Sequence, residues 1–198
     1  MAKITILNDD AVNHRLTADM IVTDPPFEMG GKQINDIISQ YQASHLLLIC
    51  SLRQLIQFAQ VTDYKMGFDF VLDLVAPKQS KSQRQPNYIH AHAVYFNKGK
   101  SAFHRQHGER SDVFTKGYCP TIIRANRERN SEHGMAKNET AIKDMLSFFE
   151  VESVIDMFAG SGTTGLACLE LDLDCTLIEK DTEHFNQMKQ TFEFIGAI

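Results

Sequence analysis

Residues 154 to 179 form a pattern that few folds can accommodate. Val154-Ile155-Asp156-Met157-Phe158 reads as an apolar strand, and Ala159-Gly160-Ser161-Gly162-Thr163-Thr164-Gly165 as a glycine-rich turn. Leu166-Ala167-Cys168-Leu169 then opens a helix, and Cys175-Thr176-Leu177-Ile178 is a second strand ending in Glu179. A strand, a helix and a second strand in this order predict an α/β sheet covered by helices on both faces. Glycines at the strand-to-helix turn let a ligand approach the backbone, and the helix N-terminus presents N–H groups. An acid ending the second strand can bind both hydroxyls of a ribose. Glu179 lies 17 residues after Gly162, close to the roughly 20 of a nucleoside-binding βαβ unit. An ordinary crossover without a ligand has the same outline.

The spacing of Gly160, Gly162 and Gly165 formally fits a dinucleotide fingerprint, but two threonines crowd the last gap. Asp156, four residues before Gly160, would bring negative charge to the pocket. That charge repels a pyrophosphate and attracts an ammonium, which favours S-adenosylmethionine.

A second motif lies far upstream. Met20-Ile21-Val22 reads as a buried strand, and Asp24-Pro25-Pro26-Phe27 follows it closely. The prolines fix φ and donate no backbone hydrogen bond. The segment therefore offers a carboxylate, carbonyls and one flat ring, which suits gripping a planar group through its NH2. The same four residues also suit a strand-ending turn.

Together the two motifs resemble those of the amino-group DNA methyltransferases, which methylate N6 of adenine or N4 of cytosine. Asp24-Pro25-Pro26-Phe27 resembles the family's catalytic motif, and Asp156, Phe158, Ala159, Gly160, Ser161, Gly162, Thr163 and Thr164 fall in its cofactor motif. The order, catalytic motif first, resembles the permuted β group. His133 to Asn138 resembles the segment before the cofactor strand, with Asn138 where the family commonly has proline, so Lys137 and Asn138 join the cofactor candidates. His92-Ala93-Val94-Tyr95-Phe96 resembles a strand that usually begins His-Glu. The resemblance implies a Rossmann-like sheet, mostly parallel with one antiparallel strand and helices on both faces. It also implies S-adenosyl-L-methionine as cofactor, double-stranded DNA as partner and no metal. Asp at the first catalytic position is typical of adenine enzymes, so N6 of adenine is the expected acceptor and N4 of cytosine the alternative.

The implied mechanism flips the target base from the duplex. Phe27 stacks on it, Asp24 and the Pro25 carbonyl accept from its NH2, and the methyl is transferred in line with catalysis by positioning. No cysteine sits in the motif, which argues against the cytosine-C5 type.

The chain has 198 residues, of which 43% are apolar, and one methyltransferase domain over 1–198 is the expectation. No apolar run is long enough to span a membrane and the N-terminus has no signal-peptide pattern, so a cytoplasmic location in a bacterial or phage-infected cell is the expectation. Cys50, Cys119, Cys168 and Cys175 are scattered and read as free thiols.

The net charge is −5, yet residues 97 to 130 carry eight basic and three acidic residues, a local +5. Lys98, Lys100, Arg105, Arg110, Arg124, Arg127 and Arg129 there, with Lys78, Lys81 and Arg84 upstream, are the expected phosphate contacts, on loops at the substrate side of the sheet. A solvated surface loop is the plainer reading. Residues 99 to 130 are a short recognition region. A short basic loop binds backbone and reads few bases, so relaxed specificity is expected, with help from a homodimer partner. So compact an enzyme suits a phage or prophage, or protection against restriction.

Helices are expected at 32–43, 52–60, 137–148 and 181–194. Phe68–Val75 and Ile89–Phe96 should pair as a hairpin. Phe185, Met188, Phe192 and Ile195 recur at helical spacing. Other readings are a methyltransferase acting on RNA or a protein glutamine, a catalytically silent DNA-binding relative, and a nucleotide-dependent oxidoreductase.

Overall fold

Met20, Ile21, Val22 and Thr23 are all buried, as a strand sandwiched between two helical layers requires. The computed structural model describes residues 2–78, 88–105, 119–124 and 139–198. In chain order these form β1 (Ile4–Asn8), β2 (Met20–Thr23), α1 (Gly31–Ile38), β3 (His45–Cys50), α2 (Leu52–Ala59), β4 (Lys65–Lys78) and β5 (Tyr88–Asn97). Then come β6 (Ile122–Arg124), α3 (Glu139–Leu146), β7 (Ser153–Asp156), α4 (Thr163–Glu170), β8 (Asp174–Glu179) and α5 (Thr182–Phe194). A short 3-10 turn, Ala11–Asn13, follows β1.

One eight-stranded sheet runs in the order β1-β8-β7-β2-β3-β5-β4-β6. Every pairing is parallel except those of β5, which is antiparallel to both β3 and β4. The expected mostly parallel Rossmann-like sheet with one reversed strand is present, and β4 and β5 form the expected hairpin.

Alternate residues of the central strands enter opposite cores. Ile21, Leu46 and Leu48 pack with Ile34, Ile37 and Ile38 of α1 and with Leu55 and Phe58 of α2. Met20, Val22, Leu47 and Ile49 face the core built by α3, α4 and α5. Both faces are thus covered.

α2 and α5 match the expected helices within one residue, whereas α1 and α3 end earlier than the periodicity predicts, and residues 137 and 138, expected to open α3, lie outside the described residues. α1 stops at Ile38 because the chain turns there to bring Gln42 beside Thr17. α3 ends at Leu146, yet Phe148 and Phe149 are still buried beyond it. Ile195 lies past the end of α5 and is 46% exposed, so Met188 and Phe192 carry that helix's buried stripe. Among the described residues no helix is long and apolar enough to cross a membrane.

The chain leaves β2 toward β3 and leaves β7 toward β8, in opposite directions from two adjacent strands. In an open α/β sheet the crevice beyond the carboxyl ends of such strands is where ligands bind.

Candidate active site

The crevice is open and large, about 1330 Å³, and it gathers the two distant motifs. Asp24, Pro25, Pro26 and Phe27 enter from the end of β2. Asp156, Phe158, Ala159, Gly160, Ser161, Thr163 and Thr164 enter from the end of β7, and Glu179 from the end of β8. Gly162 sits behind this wall as the α4 N-cap.

The loop conformation depends on glycine. Gly160 and Gly162 have φ of +54° and +84°, a region that L side chains rarely adopt. A Cβ on Gly162 would also meet Met188 and Phe192 at 2.8 Å, whereas nothing lies within 4 Å of one on Gly160. The loop is therefore seated on α5 at one glycine and open at the other. Not every loop N–H is available to a ligand. Gly160 donates to Glu179 Oε2 at 2.7 Å and Gly162 to the Ala159 carbonyl at 2.8 Å. Glu179 Oε1 accepts from the Asp181 N–H at 2.8 Å. Each carboxylate oxygen thus has one partner and keeps a lone pair.

Asp156 is 4% exposed. Its carboxylate accepts from Thr164 Oγ1 at 2.6 Å, from the Phe158 N–H at 3.1 Å and from Thr23 Oγ1 at 3.2 Å. Burial outweighs these donors and pushes its pKa up to about 6.

Asp24 is half-buried and Pro25 buried, while the Phe27 ring is 58% exposed at the cavity. The Pro26 carbonyl accepts from the Met29 N–H at 3.0 Å and from Gln54 Nε2 at 2.9 Å. Its two lone pairs are therefore engaged.

Residues 54–190, more than half of the chain, match the family model of the N6/N4 enzymes described as DNA methylase. The chain belongs to the N6/N4 DNA methylase family. The match begins beyond Asp24–Phe27, so geometry alone brings that segment to the methylase cavity. A comparison with curated protein sequences found no match. Among solved structures, the M1.HpyAVI–SAM complex is 22% identical, with a TM-score of 0.72 over 95% of this chain and 99% of that one. The cytosine-N4-specific PvuII DNA methyltransferase is 13% identical, with a TM-score of 0.74 over 97% and 87%. A Thermus thermophilus protein complexed with S-adenosyl-L-methionine is 12% identical, with a TM-score of 0.62 over 98% and 94%. At these identities the likeness is one of fold.

The expected DNA contacts separate. Arg124 ends β6, which runs parallel to β4 toward the cavity edge, and the backbone of Lys78 ends β4 at that same edge. Lys98 does not join them. β5 is the reversed strand, so its downstream end returns the chain to the opposite edge, where Asn97 pairs His45 at the start of β3. There Lys98 pairs Asp63 at 3.0 Å and lies over the Tyr64 ring. Lys100 and Arg105 follow on that edge, where Ala102 and His104 bond Glu150 and Phe148 just before β7. The loop from 98 to 105 is therefore not on the substrate side. Lys81, Arg84, Arg110, Arg127, Arg129, Lys137 and Asn138 lie outside the described residues.

Sequence reasoning missed several cavity residues. Asp10, Ala11 and Val12 line it from the end of β1, and Lys180 Nζ reaches Asp10 Oδ2 at 2.6 Å. The signal was available: β1 is an apolar strand followed by acids, as β8 is. Thr23, which also lines the cavity, and Gln54, which stands behind it and bonds the Pro26 carbonyl, carried no such signal, because their partners are remote in sequence.

Proposed function

We propose that this methylase transfers the methyl group of S-adenosyl-L-methionine to N6 of adenine in DNA, acting as a single domain. The observation that carries the reading is the meeting of Asp24–Phe27 with the glycine loop and Glu179 in one cavity. S-adenosyl-L-methionine is the methyl donor. Glu179 would hold its ribose hydroxyls, the loop from Phe158 to Thr164 with Ala11 and Val12 would hold its nucleoside, and the Asp156 side would attract its ammonium. Lys137 and Asn138 belong to the same site by their place in the motif.

Asp24 and Pro25 are the acceptors for the substrate amine, since the Pro26 carbonyl is already taken by Met29 and Gln54. Accepting its two N–H bonds aims the nitrogen lone pair at the sulfonium methyl. When bound, S-adenosyl-L-methionine would supply its sulfonium methyl to that nitrogen and leave as S-adenosylhomocysteine, and the proton shed by the amine would pass to water. Phe27 is exposed enough to stack on an extruded base. The choice of adenine rests on Asp24 at the first motif position.

Phosphate contacts are assigned to Arg124 at the cavity edge and, by charge alone, to Lys78, Lys81, Arg84, Arg110, Arg127 and Arg129. A recognition region as short as residues 99 to 130 favours a short target or relaxed specificity, and a second copy would extend the footprint. Such an enzyme would work in the cytoplasm of a bacterial or phage-infected cell, where broad methylation shields DNA.

Nucleoside analysis of unmethylated DNA after incubation with protein and S-adenosyl-L-methionine tests this reading. N6-methyladenine is the expected product, and its share of total adenine reports specificity. N4-methylcytosine would overturn the base choice, and absence of both would overturn the activity.

A further inference from the structure

Pro25 and Pro26 have no backbone N–H, so a backbone hydrogen bond can hold this segment only where one of their carbonyls accepts from another part of the chain. The donor for Pro26 comes from α2. Gln54 is 1% exposed, unusual for a glutamine, and all its hydrogen-bonding capacity is used. Its Oε1 accepts from the Ser51 N–H at 3.1 Å and the Ser51 hydroxyl at 2.8 Å. Its Nε2 donates to the Pro26 carbonyl at 2.9 Å and the Met29 carbonyl at 3.2 Å. One turn on, Gln57 Oε1 accepts from the Gly31 N–H at 3.0 Å. Gly31 is pressed so close that a Cβ there would stand 2.2 Å from the Phe58 nitrogen. The loop from Pro26 to Gly31 is thus held at both ends by one helix, with Phe27 and Glu28 exposed between the anchors.

The arrangement follows from topology. β2 and β3 are adjacent and parallel, and Ser51, the N-cap of α2, directly follows β3. The exit of one strand therefore stands beside the exit of the other. Phe27 directly follows Pro26, so the bond from Gln54 to the Pro26 carbonyl fixes the backbone from which the ring enters the cavity.

We propose that Gln54 is a positioning residue for methyl transfer. Its amide holds the Pro26 and Met29 carbonyls so that the Pro25 carbonyl and the Phe27 ring meet the target base in line with the methyl donor. This inference rests on the function proposed above. Gln54 touches neither substrate nor cofactor, and its effect is on the rate of the step rather than on cofactor binding.

Single-turnover methyl transfer separates positioning from mere support of the fold. Enzyme carrying labelled S-adenosyl-L-methionine is mixed in excess with unmethylated DNA, and rate constant and amplitude are read separately. Gln54→Glu keeps size and the acceptor for Ser51 but replaces the donating NH2 by an oxygen facing two carbonyls. Gln54→Met keeps bulk without a donor, and serves if the first variant folds poorly. The expected result is a rate constant lower by about 100-fold, the scale of a small misplacement of reacting groups, with amplitude and S-adenosylhomocysteine affinity retained. Tyr64→Phe, which removes a hydrogen bond to the Ala43 carbonyl on the far edge, should lower the melting temperature and leave the rate constant unchanged. Wild-type rate constants in both Gln54 variants, with only amplitude or melting temperature reduced, would overturn the proposal. A wild-type enzyme that methylates no DNA would instead strike the proposed function, and this inference with it.

Discussion

Thr23 donates its hydroxyl to the Asp156 carboxylate across 3.2 Å. The residue before Asp24 is thereby joined to the acid beneath the glycine loop, although 133 positions separate them. β2 and β7 are coupled by this bond and by their pairing at Met20–Val154 and Ile21–Ile155.

Asp156 gives the fold a pH dependence. Burial raises its pKa to about 6, so the folded state favours the neutral acid. That contribution is full below the ordinary carboxylate value and is lost as pH rises through about 6. The ionised form should cost on the order of 2–3 kcal/mol at pH 8. Asp156→Asn should therefore raise the melting temperature at pH 8 by several degrees and do little at pH 4, while weakening S-adenosyl-L-methionine binding at least about tenfold. Thermal melts at the two pH values and calorimetric titration check both halves. Equal destabilisation at both pH values would refute the sign.

Asp24 and Phe27 should separate chemistry from cofactor binding. Asp24→Ala should reduce methyl transfer by about a thousandfold or more with S-adenosylhomocysteine affinity near normal. Phe27→Ala should weaken productive DNA engagement by roughly 10- to 100-fold, the value of one stacked base, and Phe27→Tyr should restore it. Its exposure predicts an unchanged melting temperature for both. Joint loss of cofactor affinity in Asp24→Ala would contradict the assigned roles.

Gly162→Ala combines two penalties. The residue would sit at φ +84° with its Cβ 2.8 Å from Met188 and Phe192. A loss of about 2 kcal/mol or more is expected, with weaker cofactor binding, because the loop must leave α5. Gly160→Ala meets no neighbour and should cost less. Denaturant melts of the two variants give the comparison.

The two edges of the sheet should differ toward DNA. Arg124→Ala should lower DNA affinity and reduce the slope of log affinity against log salt by about 1. Lys98→Ala, on the opposite edge, should leave the slope unchanged. Binding isotherms over a range of salt decide, and equal slopes for the two variants would count against the placement.

Much of this site was legible in the chain. Regular apolar runs marked β2, β7 and β8, and the glycine turn and Asp-Pro-Pro-Phe segment stand at their carboxyl ends, because local backbone chemistry dictates turns and strand exits. Helix ends were less legible: α1 stops where tertiary pairing of Thr17 with Gln42 takes over from periodicity. The basic residues were legible as charge but not as a surface. Lys98 and Arg124 read alike in sequence, and only the reversal of β5 sends them to opposite edges.

The sequence by itself determined most elements and their chemistry: the strands other than β6, which reads as loop, where the glycines bend the chain, and which carboxylates stand at strand ends. These follow from side-chain periodicity and backbone sterics, which act over a few residues. Only the tertiary structure decided that β2 lies beside β7, so that Thr23 meets Asp156, and that β3 delivers α2 to the Pro26 carbonyl. Such pairings depend on strand order, which is set by burying both faces of one sheet at once, and no local stretch of chain contains that information.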